Sequence, residues 1–205
     1  GAARTALTDK VWSVRGAAAE CLGTIGEAED LTALRALLED PHPWPRRGAI
    51  YALGRLGLSE AAPRIREELA DPEAEVRLAA VWSLGQLEDD GARELLVTML
   101  RHVRPVVGEM PTFAQGTGAV KLQSDAESRL FDALVQALGR LTVGDPDPLV
   151  VRALLDARAR VPEEEIERNA RLPAPEVLGG HPIPTLRSLF DTALPAGVDE
   201  EDLGC

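Results

Sequence analysis

The sequence is poor in aromatic residues and in cysteine. Phenylalanine, tryptophan and tyrosine together make up 3% of the 205 residues. A chain of this length can bury a continuous core, and a core with few aromatics suits a stack of alanine- and leucine-rich helices. The two cysteines, Cys21 and Cys205, are too few for a disulfide framework. We therefore expect a reducing, cytoplasmic environment.

Long apolar runs are also missing. No stretch approaches the roughly 18 apolar residues that a membrane-spanning helix needs, and we recognise no signal peptide at the amino terminus. We therefore expect a protein without a membrane partner.

Positive charge is scarce. The chain has 22 lysine and arginine residues against 34 aspartate and glutamate residues, a formal net charge of −12. Proteins that bind nucleic acid use a basic face to displace the counterions of the phosphates. The charge balance therefore argues against a nucleic-acid partner and leaves open only a local arginine stripe.

The residue patterns of metal sites and of hydrolytic active sites are absent from the sequence. His42, His102 and His181 share no metal-ligand spacing, and no serine or cysteine lies in a nucleophile-elbow motif. The segment Gly116-Thr117-Gly118 lacks the following lysine of a phosphate-binding loop. We expect no metal, no cofactor and no catalytic residue, and a non-enzymatic role is favoured.

The sequence does contain a repeat. Arg15-Gly16-Ala17-Ala18 recurs 31 residues later as Arg46-Arg47-Gly48-Ala49 and again as Arg77-Leu78-Ala79-Ala80. A weaker fourth copy covers residues 133–141. A fixed period in this range is typical of stacked structural units. We predict an all-α fold, a right-handed α-solenoid of antiparallel helix pairs.

Each unit is predicted to begin with an aspartate at the N-cap of its first helix. These residues are Asp9, Asp40, Asp71, Asp125 and Asp156. The second helix of each unit then places core residues at helical spacing. They are Leu31, Leu34 and Leu38; Ala62, Ile65 and Leu69; Leu96 and Leu100; Val150 and Leu154.

Glycine and arginine recur at fixed places in the unit. We interpret Gly23, Gly54, Gly85 and Gly139, inside the first helices, as positions of close helix packing. Gly26 and Gly57 fit C′ glycines that end those helices in a left-handed turn. The arginines Arg15, Arg46 and Arg77 lie beside the unit-starting aspartates, and we predict ion pairs from repeat to repeat.

The pattern Asp-Pro…Val-Arg-x-Ala-Ala…Leu-Gly-x-Leu resembles the HEAT-like repeats of the phycobilisome-lyase type. The resemblance covers residues 9–100 well and 125–156 less well, because Phe131 stands where the other units have arginine. It implies a HEAT-like solenoid. For function it implies mostly protein-binding scaffolds, with a few lyase subunits, and DNA glycosylases on related helical solenoids.

The predicted organisation is a solenoid over residues 1–172 and a Pro/Gly-rich tail with a short helix over 173–205. The repeats cover about 9–39, 40–70, 71–101 and 125–155, followed by a capping helix over about 162–172. The period is broken by an insert over 102–124, which is locally cationic and which we take as a surface loop with a binding role or as a passive loop.

The function we expect is that of a non-catalytic scaffold or adaptor, which binds another protein or peptide in the groove lined by the second helices. The predicted contact residues are Arg35, Arg66, Glu67, Glu94, Val97 and Thr98, with Arg101, Arg104 and Phe113 from the insert and its edge. Trp44, between two prolines, is predicted to be exposed, and Trp82 to be packed. Two alternatives stay open: a lyase or chromophore-binding subunit similar to bilin lyases, and a nucleic-acid-binding HEAT solenoid.

Overall fold

The structure is a computed structural model that describes residues 2–103, 118–142 and 147–163. Within these ranges every regular element is helical and no strand occurs, which confirms the predicted all-α solenoid class. The predicted tail, and all but the first residues of the predicted capping helix, lie outside the described residues. The chain divides into two compact units, residues 1–92 and 93–205.

The first unit alternates long and short helices. The helices are α1 (Ala2–Ala6), α2 (Trp12–Ile25), α3 (Leu31–Ala36), α4 (Pro43–Arg55), α5 (Ala62–Glu67) and α6 (Ala74–Gln86). The short helices α3 and α5 are each flanked by 3-10 turns. The long helix α4 packs against both α2 and α6, so the first helices of successive repeats form one row.

The core of the first unit is built from the residues that the period predicted. Leu34 and Ile65 on the second helices and Leu53 on α4 are fully buried. Leu38, Ala62 and Leu69 are buried as well, whereas Leu31 is half-buried. The spacing of apolar residues therefore identified the buried face of each helix.

Close approach between neighbouring long helices depends on glycine. A Cβ atom at Gly23 would lie 2.9 Å from the Cα atom of Ala52, and one at Gly54 would lie 2.7 Å from the Cβ atom of Ser83. Neither position can hold a side chain unless the helices separate. The predicted close-packing role of these two glycines is confirmed.

The two glycines predicted to end helices differ from one another. Gly57 has a φ of 66° and follows α4 in the left-handed conformation, as predicted. Gly26 has a φ of −77°, so its predicted left-handed turn is wrong. Its amide donates to the carbonyl of Leu22 at 2.6 Å while the backbone continues in an extended conformation.

Arginine–aspartate pairs join the first repeat to the second and the second repeat to the third. Arg15 donates from Nε and Nη2 to the two carboxylate oxygens of Asp40 at 2.6 and 2.9 Å. Arg46 binds Asp71 in the same bidentate way at 2.8 and 3.0 Å. We call this pair of contacts the arginine ladder. The predicted repeat-to-repeat ion pairing is confirmed for these two arginines.

The ladder aspartates are not N-caps, and that prediction is wrong by two residues. The N-cap of α4 is His42 and that of α6 is Glu73. Asp40 and Asp71 accept hydrogen bonds from the amides of these two residues at 2.9 and 2.8 Å. Each carboxylate thus fixes the turn that leads into a helix and holds an arginine of the preceding repeat.

Burial and hydrogen bonding act in opposite directions on the ladder carboxylates. Burial raises the pKa of Asp71, but hydrogen bonds from Arg46 and from the Glu73 amide outweigh it, so the pKa lies below its ordinary value. The pKa of Asp40 is lowered in the same way by Arg15 and the His42 amide, against the effect of burial. Both carboxylates therefore stay ionised in the folded protein at neutral pH.

The second unit contains α7 (Arg93–His102), α8 (Gly118–Leu141) and α9 (Pro148–Ala159), and each of these helices packs against the other two. Its core includes Phe131, Leu138 and Leu154, all buried. Arg160 donates from Nη2 to the carbonyl of Leu100 at 2.8 Å and from Nη1 to that of Val103 at 3.1 Å. It thereby satisfies backbone acceptors at the end of α7.

Helix α8 begins before Asp125, the residue predicted to start it. Helix α8 starts at Gly118, inside the segment assigned to the insert, so Asp125 lies within a helix and does not start one. Asp156 lies within α9 in the same way. The residue that caps α9 is Asp147, whose carboxylate accepts the amide of Leu149 at 2.8 Å.

Asp71→Asn is expected to destabilise the protein by about 3 kcal/mol at pH 7, because it leaves the Arg46 guanidinium without its carboxylate in a mostly buried pair. The side chains of Arg46 and Asp71 are only 13% and 5% exposed. A carboxylate with a lowered folded-state pKa stabilises the fold above its unfolded pKa of about 3.9 and loses that contribution as the pH falls through the folded value. Chemical denaturation should therefore show the difference between wild type and variant shrinking below about pH 4.

Asp9→Asn is the matched control for this prediction. The Asp9 carboxylate accepts a hydrogen bond from the Val11 amide at 2.8 Å, as the Asp71 carboxylate does from the Glu73 amide. In the described part of the chain, no ladder arginine is bound to the Asp9 carboxylate. Asp9→Asn should therefore lower the free energy of unfolding much less than Asp71→Asn does. Equal losses of unfolding free energy in the two variants would show that the ion pair with Arg46 contributes nothing to stability.

Candidate functional site

The predicted contact residues of the first unit lie on its second helices. Arg35 is exposed on α3. Arg66 on α5 is bound to Asp89, with Nε 2.8 Å from Oδ2. Glu67 is exposed and lies 2.9 Å from Arg64. Arg35 and Glu67 are therefore accessible, whereas the guanidinium of Arg66 is already neutralised within the unit.

Arg35 differs from the two arginines at the same place in the repeat. Arg4 is hydrogen-bonded and ion-paired to Asp30, as Arg66 is to Asp89. The position one period after Asp30 is occupied by Ala61, and in the described ranges no carboxylate is paired with Arg35. Arg35 therefore presents an exposed, uncompensated positive charge to solvent.

The predicted contact residues of the second unit are only partly accessible. Glu94, Thr98 and Arg101 are exposed on α7. Val97 is 2% exposed and packs in the core of its unit, so it does not belong to any contact surface. Arg104 and Phe113 lie outside the described residues.

The first unit also carries an exposed aromatic cluster that the contact prediction did not contain. Trp12 is the first residue of α2, and its ring stacks on that of His42, with centroids 3.9 Å apart and planes 5° from parallel. The ring of Trp44 lies 5.8 Å from that of Trp12 at an angle of 49°. The two tryptophans are 40% and 42% exposed. We call Trp12, His42 and Trp44 the aromatic cluster.

The position of Trp44 depends on α2 and on an arginine. A Cβ atom at position 16 would lie 2.0 Å from Cδ1 of Trp44, so only the glycine at position 16 lets the indole lie against α2. The guanidinium of Arg47 lies 4.8 Å from the centroid of the Trp44 ring, within the range of a cation–π contact. Arg47 is itself held by Glu20 at 3.0 Å and by Glu75 at 3.9 Å. The cluster is thus built into the junction of the first helices.

The sequence contained only part of the signal for this cluster. The predicted exposure of Trp44 is confirmed, and the residue lies in the first turn of α4. Adding the 31-residue period to position 12 gives Pro43, the neighbour of Trp44. The residue numbers alone could therefore have predicted that Trp12 lies next to Trp44. Trp82 is half-buried with its ring edge-on to Tyr51.

One carboxyl group of the second unit titrates near neutral pH. Asp132, half-buried on α8, has a pKa that burial raises to about 7. In the described part of the chain, no group of three or more histidine, cysteine, aspartate or glutamate side chains is arranged to hold a metal ion. None of the described helices combines the length and the apolar character needed to cross a bilayer.

Asp132→Asn is expected to raise the free energy of unfolding more at pH 8 than at pH 5. An acid whose folded pKa is raised binds a proton in the folded state that the unfolded state has lost, so stability falls between about pH 4 and pH 7 and then levels off. The asparagine variant should lack this fall. Denaturation series at both pH values measure it, and an unchanged pH dependence would contradict the raised pKa.

Comparison with known proteins identifies the family. A family model described as HEAT repeats matches residues 2–54 and 33–109. Among solved structures, the chain is similar to one in the complex of CpcE and CpcF of phycocyanin lyase from Nostoc sp. PCC7120, with 28% sequence identity and a TM-score of 0.55. The match covers 76% of this chain and 57% of that chain, so the sequence spans little more than half of that relative's length. The curated proteins contain no match. The family model accounts for more than half of the residues, and the chain belongs to the HEAT-repeat family.

Proposed function

We propose that the protein is a non-catalytic interaction module, a scaffold or adaptor that binds another protein through the exposed surface of its repeats. The observation that carries this proposal is the aromatic cluster. The chain has three tryptophans, and two of them lie side by side at the surface, 40% and 42% exposed, instead of in the core. Tryptophan contributes a large apolar contact area and is over-represented among the residues that dominate binding energy at interfaces.

The cluster is fixed before any partner arrives. Stacking on His42 restrains the Trp12 ring, and the contact with Gly16 restrains Trp44. Rigid aromatic side chains lose little conformational entropy on binding, because few rotamers remain to be restricted. The cluster therefore has the properties of an interface anchor for an apolar or proline side chain of a partner.

Charged side chains would provide specificity around this anchor. Arg35 is exposed, and no carboxylate is paired with it in the described part of the chain. Its guanidinium is therefore available to bind an acidic group on a partner. We retain Glu67 in the first unit, and Glu94, Thr98 and Arg101 in the second, as further proposed contacts. A protein partner is supported by the similar structure, which is a complex of two proteins.

Trp12→Ser combined with Trp44→Ser tests the proposal. Immobilised wild-type and variant chains are used to capture proteins from a lysate of the source cells, and the affinity for the captured protein is then measured. We expect a loss of about 30-fold or more, equivalent to ~2 kcal/mol, as for interface hot spots. Arg35→Glu should weaken the same interaction to a smaller extent.

Arg55→Ala, at an exposed position on the same helix α4, is the matched control and should leave the affinity unchanged. Circular dichroism and denaturation establish that each variant is folded. A folded double-tryptophan variant that binds the captured protein as tightly as wild type would refute the role of the cluster.

A second candidate function is a lyase or chromophore-binding subunit. It is favoured by the similarity to a chain of phycocyanin lyase. The Asp132 carboxyl, with its pKa of about 7, could donate or accept a proton at neutral pH in such chemistry.

Binding of a free bilin tests this second function. The purified chain is mixed with a bilin and passed through a size-exclusion column while visible absorbance is recorded. A chromophore-binding subunit should elute as a coloured complex with a shifted absorption band, and Asp132→Asn should alter that band or its pH dependence. A colourless protein peak at saturating bilin would rule out chromophore binding by this chain alone.

A further inference from the structure

The exposed surface around Trp44 lies on a helix that already has a neighbour on each side. Helix α4 packs against α2 and against α6, and Trp44, Arg47 and Tyr51 follow one another at helical spacing on its remaining, partly exposed face. Tyr51 stands one period after Glu20, and it stays partly exposed although α4 is flanked on both sides. Exposure along this face is therefore a property of the repeat and not the result of a missing neighbour.

A carboxylate lies next to the aromatic cluster. Glu20 on α2 is exposed, and its Oε1 accepts a hydrogen bond from Nη2 of Arg47 at 3.0 Å. Arg47 is shared with Glu75, at 3.9 Å, so it neutralises Glu20 only in part. Within the described residues, the second carboxylate oxygen of Glu20 accepts no hydrogen bond. This oxygen is available to a basic side chain of a partner.

The Trp44 ring and this carboxylate lie within one turn of a polyproline II helix of each other. The guanidinium carbon of Arg47 is 4.8 Å from the ring centroid, and its Nη2 is 3.0 Å from Glu20. Because the C–N bond between them adds about 1.3 Å, the carboxylate oxygen is at most about 9 Å from the ring centroid. Polyproline II has three residues per turn and rises about 3.1 Å per residue, so residues three apart lie on the same side about 9 Å from each other.

The chemistry of the surface favours a polyproline II segment over an α-helix. The residue one turn beyond Trp44 on this face is Arg47, whereas an amphipathic helix needs an apolar groove along its whole contact. The indole N–H of Trp12 donates to no acceptor within the described ranges. The carbonyl groups of a polyproline II segment have no internal partners and can accept this hydrogen bond, while those of an α-helix are already bonded.

We propose that the aromatic cluster and Glu20 together bind a basic, proline-rich segment of a partner protein in the polyproline II conformation. A proline packs on the Trp44 ring, and a lysine or arginine three residues from it pairs with the Glu20 carboxylate. This inference rests on the proposed function, because it names the kind of partner that the same cluster takes. The net charge of −12 on the chain also attracts a basic segment.

A fluorescein-labelled and amidated heptapeptide, Pro-Pro-Ala-Pro-Pro-Ala-Arg, is the probe, because its arginine follows a proline by three residues. In a second peptide the last two residues are exchanged, so the arginine follows an alanine by three residues instead. Fluorescence anisotropy with the full chain should show saturable binding of the probe. The exchanged peptide should bind about fivefold more weakly, as expected for the loss of one exposed charge pair. Trp12→Ser combined with Trp44→Ser should weaken binding of the probe about tenfold or more.

Glu20→Gln separates recognition of the arginine from a structural effect on the surface. In this variant the probe and the exchanged peptide should bind equally, because the arginine has lost its carboxylate. A difference between the peptides that persists in Glu20→Gln would overturn the assignment of the arginine to Glu20. Glu60→Gln removes the same charge from an exposed residue in the 3-10 turn before α5, and this control should keep the fivefold difference.

The proposal is overturned if the probe shows no saturable binding, or if it binds as tightly with alanine in place of its prolines. Equal binding of the probe and the exchanged peptide to the wild-type chain would overturn it as well. The proposed function stands after any of these results if the double-tryptophan variant still loses the captured protein. A captured protein that binds this variant as tightly as wild type refutes the proposed function whatever the peptides do, so the two failures are distinguishable.

Discussion

The first unit depends on the contact between each long helix and the long helix of the next repeat. Two features make this contact. Glycine at positions 23 and 54 removes the side chain where the backbones meet, and the arginine ladder joins the start of one helix to the turn before the next. The apolar contact sets the distance between the helices, whereas the bidentate ion pair sets their register along the axis. Removing one partner of such a mostly buried pair leaves the other charge uncompensated and is destabilising.

The proposed binding surface is a consequence of this same junction. The close approach of α2 and α4 brings Trp12, His42 and Trp44 together, because residues about one period apart become neighbours when the long helices align.

Features that recur with the period were predictable from the sequence. They include the buried leucines, the ladder arginines and the close-packing glycines, because each is encoded once per repeat. Helix starts were less predictable. The period gives the spacing of the units but not the residue at which a helix begins, so the N-caps were predicted two residues too early, at Asp40 and Asp71 instead of His42 and Glu73. The burial of Val97 and the start of α8 at Gly118 were missed because the second unit departs from the strict repeat. The aromatic cluster was missed because its members occupy different positions within the repeat.

Contact between the aromatic cluster and a protein partner can be measured directly. Hydroxyl-radical footprinting of the chain, alone and in complex with its captured partner, measures the exposure of each tryptophan by mass spectrometry. Trp12 and Trp44 should become protected in the complex, while Trp82, already half-buried beside Tyr51, should be oxidised to the same extent in both samples. Equal oxidation of Trp12 and Trp44 with and without the partner would contradict the proposed contact.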